Sequence, residues 1–374
     1  MPFTGRELRS TIAEDGRLSL SLVEAPVGEP EDDEVVVRIE AAPINPSDLA
    51  LLLGPADLST MTRQGGDRPG LDLIVPKDRL GAVRGRLGQS LAVGNEGAGL
   101  VVAAGQQAKA LEGRRVGTIG GGMFADYRRV KAREVALLPA GATSADGAAM
   151  FVNPLTALGF IETARREGHT AMVHTAAASN LGQMLQKVCL ADGIPLVNIV
   201  RSQKQADILR GLGARYVVDS SDETFATQLV DAIAETGATV AFDAIGGGTL
   251  GGRIVQAMEQ AAAGRETAYS RYGTDVFKQL YIYGALDLAP TTLDRLAFGF
   301  QWSVSGWLLM PFLRKVGLEA AARMRQRVTD ELMTTFASRY TRVIGLAEAL
   351  DPEILRAYER KATGEKFLID PTKG

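Results

Sequence analysis

The sequence predicts an α/β protein with two domains: a parallel sheet covered by helices, and a β-rich, partly barrel-like domain. Three observations predict this class. The chain has 374 residues, more than one ordinary hydrophobic core accommodates. From about Phe151 onward, apolar strand candidates alternate with helical runs, as is typical of parallel sheets. The first 150 residues instead carry short apolar runs separated by Gly, Pro and Asp.

The β-rich domain is predicted from strand candidates at 35–39, 99–102 and 135–139. Between 54 and 89 the chain turns polar and turn-rich, with its centre at 65–70. We expect this segment to be either a disordered surface excursion or a loop that covers a site. The last ~40 residues return to short strands around 342–344 and 366–369. The expected domains are therefore 1–150 with 335–374, and 151–334.

The parallel-sheet domain is predicted from a regular alternation of strands and helices. The strand candidates are short and apolar, and the runs between them have helical spacing. In chain order the elements are a strand at 171–175, a helix at 181–191, a strand at 195–200, a helix at 203–212, a strand at 216–218, a helix at 225–236 and a strand at 240–244.

Composition narrows the classes of function. Forty-one basic residues against 44 acidic ones give a net charge of −3, so we expect no nucleic acid or membrane partner. Residues 1–21 lack the apolar core of a signal peptide, and no apolar stretch has the length of a membrane span. We therefore expect a cytoplasmic protein. With one cysteine and two histidines, an internal disulfide is impossible and a four-cysteine zinc site is excluded.

A turn of small residues at Ala176–Gly182 follows the first strand of the parallel-sheet domain and opens a helix. Such a turn presents unpaired N–H groups to a pyrophosphate. Matched to Gly-x-Gly-x-x-Gly, its positions are Ala177, Ser179 and Gly182, so only the third glycine remains. The turn is either an ordinary βα connection or a nucleotide site. In the second case the cofactor-binding residues are Ala178, Ser179, Asn180, Leu181 and Gly182.

The next strand end favours the nucleotide site. An acidic residue there accepts hydrogen bonds from the adenine ribose of NAD. This chain has Arg201, Ser202 and Lys204 at about that position instead. Arginine binds phosphate in bidentate fashion. These three residues therefore predict recognition of a 2′-phosphate, and hence NADP(H).

Several stretches occur in an order that resembles one superfamily across nearly the whole chain. They are APINPSD at 42–48, GNEGAG at 94–99, GMFADY at 122–127, NPLTAL at 153–158, FDAIGG at 242–247 and GEKFL at 364–368. The chain resembles the medium-chain dehydrogenases/reductases, in the zinc-free branch of quinone oxidoreductases and 2-enoyl thioester reductases. The resemblance implies a Rossmann domain, a GroES-like domain and an NADP(H)-dependent oxidoreductase that forms a homodimer.

Two positions separate the chain from the zinc alcohol dehydrogenases of that superfamily. Asn45 stands where those enzymes have a zinc-binding cysteine, and Asn95 where they have a zinc-binding histidine. An amide is a poor zinc ligand beside thiolate and imidazole. We therefore expect no metal site and no zinc.

The resemblance also assigns site residues. Asn45 is expected to bond the nicotinamide ribose or the substrate oxygen. Tyr283 or Tyr269 is a candidate proton donor, although aromatic packing also explains both. Asp48 and Glu96 are expected to brace the cleft by hydrogen bonds. The resemblance further implies that four residues contact the cofactor or line its cleft: Thr156, Ile245, Gly284 and Trp307. Trp307 is equally explained as interface or core.

The acceptor stays open between alternatives. Where enoyl thioester reductases have a proton-donating tyrosine, this chain has Ala56. A quinone or an activated alkene such as an enone is therefore favoured over an enoyl thioester. From a different class, the chain is alternatively a nucleotide-binding redox sensor or structural module without turnover. Of the two histidines, His174 is expected in the core and His169 in solvent.

Overall fold

A computed structural model describes residues 3–65 and 69–373, which form two compact units. The first unit is Met1–Val152 with Gln326–Gly374, and the second is Asn153–Arg325. The first boundary thus lies two residues beyond the expected one. The second lies nine residues before the expected one, within a helix that runs from Leu318 to Asp330.

Within residues 3–65 and 69–373, twenty strands form the sheets. In chain order they are β1 (Phe3–Ile12), β2 (Arg17–Gly28), β3 (Glu34–Pro43), β4 (Asp57–Arg63), β5 (Gly70–Ile74), β6 (Ser90–Ala92), β7 (Glu96–Ala104), β8 (Arg115–Ile119), β9 (Tyr127–Lys131), β10 (Val135–Leu137), β11 (Met172–His174), β12 (Leu196–Val200), β13 (Tyr216–Asp219), β14 (Val240–Asp243), β15 (Gly246–Gly248), β16 (Lys278–Ile282), β17 (Asp287–Thr291), β18 (Trp302–Gly306), β19 (Arg342–Ile344) and β20 (Phe367–Ile369).

Ten α-helices accompany these strands in the described part of the chain. They are α1 (Pro46–Leu52), α2 (Ser144–Gly147), α3 (Val152–Arg166), α4 (Asn180–Asp192), α5 (Gln203–Gly211), α6 (Phe225–Thr236), α7 (Leu250–Ala263), α8 (Leu309–Val316), α9 (Leu318–Asp330) and α10 (Pro352–Glu359). None of the described helices is long and apolar enough to cross a bilayer.

The first unit is β-rich, as predicted. Its five-stranded sheet has the order β4-β5-β2-β1-β6, and its seven-strand sheet runs β10-β8-β7-β3-β20-β19 with β9 also paired to β3. Side chains from both sheets share one core, among them Leu8, Leu20, Ile39, Val101 and Ile369. Because β20 pairs with β3, the C-terminal segment completes the sheet that the N-terminal segment begins.

The segment at 54–89 folds differently from the expectation. Part of its centre, 66–68, lies outside the described residues. The described part extends the five-stranded sheet through β4 and β5, because the alternation in β5 buries Leu71 and Leu73 on one face. The guanidinium of Arg86 then donates to the Leu51 carbonyl (2.7 Å) and to Ser10 Oγ (2.8 Å). The prediction of a disordered excursion is therefore wrong for these residues.

The second unit carries a parallel sheet with the order β13-β12-β11-β14-β16-β18. Numbered from its first strand, this order is 3-2-1-4-5-6, the arrangement of dinucleotide-binding Rossmann folds. The predicted α/β class is confirmed. β18 is an edge strand, with a hydrogen-bonded neighbour only on the β16 side among the described residues.

Candidate functional site

The strand order places a switch point between β11 and β14, where successive connections leave in opposite directions. Ligands of open α/β sheets bind at the carboxyl ends of the strands at such a point. There Thr175 Oγ1 donates to Asp243 Oδ1 (2.7 Å) and accepts from the Ala244 N–H (2.8 Å). The Asp243 carboxylate also accepts from the N–H groups of Ile245 (2.9 Å) and Gly246 (3.1 Å). These bonds fix the exits of both strands.

Sequence reasoning missed Thr175 and Asp243. Thr175 ended the strand predicted at 171–175 and Asp243 stood within FDAIGG, but neither was given a role. The predicted cofactor residue Ile245 lies in the same network, where its N–H is held by Asp243. Contact of Ile245 with a cofactor stays a prediction.

The turn after β11 packs closely against the helix that it opens. Ala176 has φ 50°, a left-handed conformation that side chains rarely adopt. Ser179 is the N-cap of α4, and its Oγ accepts from the Gly182 N–H (3.1 Å). A Cβ on Gly182 would overlap the carbonyl oxygen of Ala177. The third fingerprint glycine is therefore needed so that helix and turn can approach.

This turn fits a pyrophosphate. α4 has 13 residues, so the N–H groups of its first turn and the positive end of its dipole lie at the switch point. The predicted residues from Ala178 to Gly182 form that first turn and its approach. Ala177 and Ala178, 0% and 2% exposed, bring little bulk to the turn. Phosphate binding by these residues stays a prediction that the geometry permits.

The predicted 2′-phosphate residues lie at the end of β12, next to β11 in the sheet. Arg201 follows β12 directly and is exposed, and its N–H donates to the Gln205 side chain (3.0 Å). Ser202 is the N-cap of α5, and Lys204 is exposed in the first turn of that helix. Two exposed cations and a helix start therefore occupy the position where Rossmann folds bind the adenine ribose.

The other half of the sheet holds Gly284 and Trp307. A Cβ on Gly284 would lie 2.5 Å from the Ala244 carbonyl oxygen, so close packing against Ala244 already requires a glycine there. Trp307 is 7% exposed, donates from Nε1 to Thr163 Oγ1 (3.0 Å) and meets Phe160 edge-on. The sequence left Trp307 as a residue of the cofactor cleft, of an interface or of the core, and its burial and contacts are those of a core residue. A contact with a cofactor stays a prediction, as it does for Thr156, which is buried in α3.

The structure confirms the expectation for one histidine and contradicts it for the other. His174 is fully buried, as predicted, and Nε2 lies 2.8 Å from Tyr283 Oη. Burial lowers the pKa of His174 to about 3. The expectation that His169 is solvated is wrong: it is 9% exposed and Nδ1 lies 2.7 Å from Thr239 Oγ1. Burial also lowers the pKa of His169.

A hydrogen-bonded carboxylate cluster lies in the first unit. Asn45 donates from Nδ2 to Glu96 Oε1 (2.8 Å) and from its backbone to Asp48 Oδ2 (2.8 Å). The Asn95 N–H donates to Asp48 Oδ1 (2.7 Å). Glu96 Oε2 accepts two further bonds, from the N–H groups of Phe151 (2.8 Å) and Val152 (2.9 Å). Both carboxylates therefore brace the backbone, as expected, and the Asn45 amide is tied to one of them.

Sequence reasoning missed Lys366, which belongs to this cluster electrostatically. Burial raises the pKa of Asp48 to about 7 and raises that of Glu96 as well. Burial lowers the pKa of Lys366 to about 8, while the charges of Glu96 and Asp48 oppose that shift. The GEKFL stretch at 364–368 contains this lysine, but the sequence analysis gave the lysine no role. Burial thus moves the pKa values of Asp48 and Lys366 towards each other.

Known proteins resemble the chain in parts of its sequence. Residues 31–140 match the alcohol dehydrogenase GroES-like domain. A mycocerosic acid synthase-like polyketide synthase of Mycobacterium tuberculosis is 28% identical over 263 residues, which are 64% of this chain and 12% of that protein. The mitochondrial enoyl-[acyl-carrier-protein] reductase of Xenopus tropicalis is 30% identical over 209 residues, 53% of this chain and 51% of that relative. The chain thus spans only a small part to about half of the length of these relatives.

Solved structures match over the whole chain. A proposed NADPH:quinone reductase from Mesorhizobium loti has a TM-score of 0.74 at 24% identity and covers 99% of both chains. The complex of Etr1p with NADP and crotonyl-CoA has a TM-score of 0.69 at 17% identity and covers 98% of this chain and 100% of its own. At such identities these structures show the fold.

The sequence match thus shows a GroES-like domain at 31–140, and the 3-2-1-4-5-6 parallel sheet shows a Rossmann fold in the second unit, as in the solved structures that the chain resembles.

Proposed function

We propose that the chain is an NADPH-dependent oxidoreductase that reduces a quinone or an activated alkene without zinc. The observation that carries this proposal is the phosphate-compatible turn at the switch point, followed at the next strand end by Arg201. When bound, the reduced nicotinamide supplies a hydride to an electrophilic carbon. The likeness to a structure with bound NADP supports the cofactor class.

In this proposal the chain's own residues bind and orient the cofactor. The first turn of α4, from Ser179 to Gly182, holds the pyrophosphate, and Arg201 with Lys204 holds the 2′-phosphate. The network of Thr175 and Asp243 keeps the two strand exits at a fixed separation. The site is thus organised before the ligand arrives, which lowers the ordering cost of binding.

The acceptor in this proposal is a quinone or an enone. Ala56 packs against the core of the first unit and has no proton to donate. A quinone ring accepts negative charge itself and needs little beyond positioning. The second candidate is an enoyl thioester, because the relative from Xenopus tropicalis is named as an enoyl-[acyl-carrier-protein] reductase. A panel of quinones, enones and enoyl thioesters, followed by loss of the reduced-nicotinamide absorbance, separates the two acceptor classes.

The same panel of acceptors distinguishes an enzyme from a nucleotide-binding module without turnover. The module alternative expects NADPH binding, seen as a change in intrinsic fluorescence, without oxidation by any acceptor. Oxidation of NADPH that depends on the acceptor supports the enzyme. Binding without turnover across the whole panel contradicts it.

The absence of zinc is also part of the proposal. The Asn45 amide donates to Glu96, and the Asn95 amide donates to Ser47 Oγ (2.9 Å). Within residues 3–65 and 69–373, no group of three or more His, Cys, Asp or Glu side chains is arranged to hold a metal. Activity that survives dialysis against a chelator supports the proposal. Stoichiometric zinc in the purified protein, with activity lost on its removal, overturns it.

We further propose a homodimer that forms along β18. Its open edge presents unpaired backbone groups, and the apolar Leu308 beside it is 64% exposed. Light scattering is expected to give about twice the chain mass of 39.7 kDa. A mass of one chain at micromolar concentration contradicts the dimer.

A further inference from the structure

A tyrosine and a histidine meet at the carboxyl edge of the parallel sheet. His174 is the last residue of β11, and Tyr283 directly follows β16. His174 Nε2 lies 2.8 Å from Tyr283 Oη, and the two rings stack with centroids 5.8 Å apart. Of the two residues, only Tyr283 has exposed surface.

The surroundings of the pair are aromatic. Phe160 of α3 packs on Tyr283 with ring centroids 4.8 Å apart, and on His174 at 6.0 Å. The titratable group that acts on Tyr283 is Asp243 of β14. Burial first, and then that negative charge, raise the pKa of Tyr283 above its ordinary value. Tyr283 is therefore protonated, and His174 is neutral, at any physiological pH.

A neutral imidazole has one N–H donor and one acceptor nitrogen. In the described part of the chain, Nδ1 of His174 is buried and has no hydrogen-bond partner. Buried N–H groups without an acceptor are rarer than acceptors without a donor. The proton is therefore placed on Nε2, which donates to Tyr283 Oη. The phenolic hydrogen is then free to reach a different acceptor.

The pair bridges the two halves of the sheet, because His174 ends β11 and Tyr283 follows β16. The glycine turn and Arg201 belong to the half formed by β11, β12 and β13. A dinucleotide spans both halves of a Rossmann sheet, so its second nucleotide lies over the ends of β14, β16 and β18. Tyr283 follows one of these three strands.

We propose that His174 is a positioning residue that holds Tyr283 as the proton donor, in place of the tyrosine that is absent at position 56. This inference rests on the proposed function. The hydride, with both electrons, would come to the acceptor from bound NADPH. The Oη–H bond of Tyr283 breaks, and its proton passes to the negatively charged oxygen or carbon of the reduced acceptor. The His174 N–H stabilises the tyrosinate until water returns a proton, and His174 keeps its own proton throughout.

The hydrogen bond is tested without turnover by heteronuclear NMR of the two histidines. A His169→Gln variant assigns the remaining signals to His174. We expect a neutral ring with the proton on Nε2 between about pH 5 and about pH 8, and a shift of that signal in Tyr283→Phe. A proton on Nδ1, or titration of His174 within this range, overturns the inference.

The donor role is tested by kinetics with enones. Tyr283→Phe is expected to lower kcat roughly 100-fold with little change in KM or in NADPH affinity. His174→Leu is expected to lower kcat about 10-fold, and His174→Gln, which keeps an N–H donor, to restore part of it. Tyr281→Phe is the matched control, because Tyr281 belongs to β16 but its hydroxyl donates to Glu167.

The outcomes separate the two proposals. Turnover by Tyr283→Phe at the rate of the native protein overturns the donor role alone. A native protein that oxidises no NADPH with any acceptor overturns the proposed function, and the donor role with it, whatever the NMR shows. A loss confined to Tyr283→Phe and His174→Leu, with Tyr281→Phe unchanged, supports both.

Discussion

Thr175 and Asp243 join the ends of β11 and β14 through a hydrogen bond of 2.7 Å, with both side chains buried. The same hydroxyl accepts from the Ala244 N–H, so one threonine satisfies an acceptor and a donor at once. Strand exits at a switch point carry no ladder bonds beyond the sheet. The hydrogen bond of this pair joins the two strand ends at the switch point, where open α/β sheets bind their ligands.

Replacing Thr175 by valine is expected to lower the free energy of unfolding by about 2–3 kcal/mol, because it leaves the Ala244 N–H without a partner and removes a donor from a buried carboxylate. Urea unfolding measures the loss. Thr227→Val, on the exposed face of α6, is the control and is expected to change stability by less than about 0.5 kcal/mol. Equal effects in the two variants would falsify the proposed importance of the Thr175 bond.

Gly182→Ala is expected to destabilise the protein by about 1–3 kcal/mol and to weaken NADPH binding, since the new Cβ overlaps the Ala177 carbonyl. Thermal unfolding and a fluorescence titration report the two effects. In Gly211→Ala the added Cβ meets nothing within 4 Å, so this helical control should fold as well as the native chain or better. A fully stable Gly182→Ala protein contradicts the close approach.

Arg201→Glu is expected to weaken NADPH binding roughly 100-fold while NADH binding changes little, because a bidentate cation becomes a carboxylate that repels the 2′-phosphate. Titrations with both nucleotides measure the ratio. Arg210→Glu, at the far end of α5, is the matched charge reversal. If the variant loses affinity for NADPH and for NADH equally, Arg201 does not recognise the 2′-phosphate.

His174 makes the protein sensitive to acid. Its pKa falls from 6.5 in the unfolded chain to about 3 in the folded one, so between these values the unfolded state binds the extra proton. Stability is therefore lost as pH falls below about 6.5, by about 2 kcal/mol at about pH 5. Denaturant unfolding at these two pH values measures this loss in the native chain and in His174→Leu. The His174→Leu variant is expected to lose about 2 kcal/mol less stability than the native chain between these pH values. Parallel pH profiles of stability in the two proteins would show that folding does not lower the pKa of His174 in this way.

The periodic part of the fold was predictable from the sequence. α6 has its expected bounds of 225 and 236, and β12 and α5 lie within one residue of expectation, because one apolar face and clear turn residues define each of them. β1 was not predicted. Its buried positions include Glu7, which is neutralised by Arg9 and Arg128, so its apolar alternation is broken.

The side-chain pairings of the candidate site were less predictable. Arg201 could be singled out from the sequence because its predicted role depends on a position in the chain, at the end of a strand. His174 and Tyr283 are 109 residues apart, and Thr175 and Asp243 are 68 apart. Such contacts depend on which strands become neighbours, and local periodicity does not report strand order. The expectation for His169 was wrong for the same reason, since its partner Thr239 precedes a different strand.

The pairing of β20 with β3 has a consequence for biosynthesis. The Rossmann unit is one continuous stretch, so it can fold as soon as residue 325 has left the ribosome. The GroES-like unit waits for its last strand, Phe367–Ile369, to be made. Until then β3 has an unsatisfied edge, and the nascent chain carries a finished domain between two halves of an unfinished one. A ribosome that stalls late in translation would therefore release an aggregation-prone intermediate rather than a shortened but folded protein.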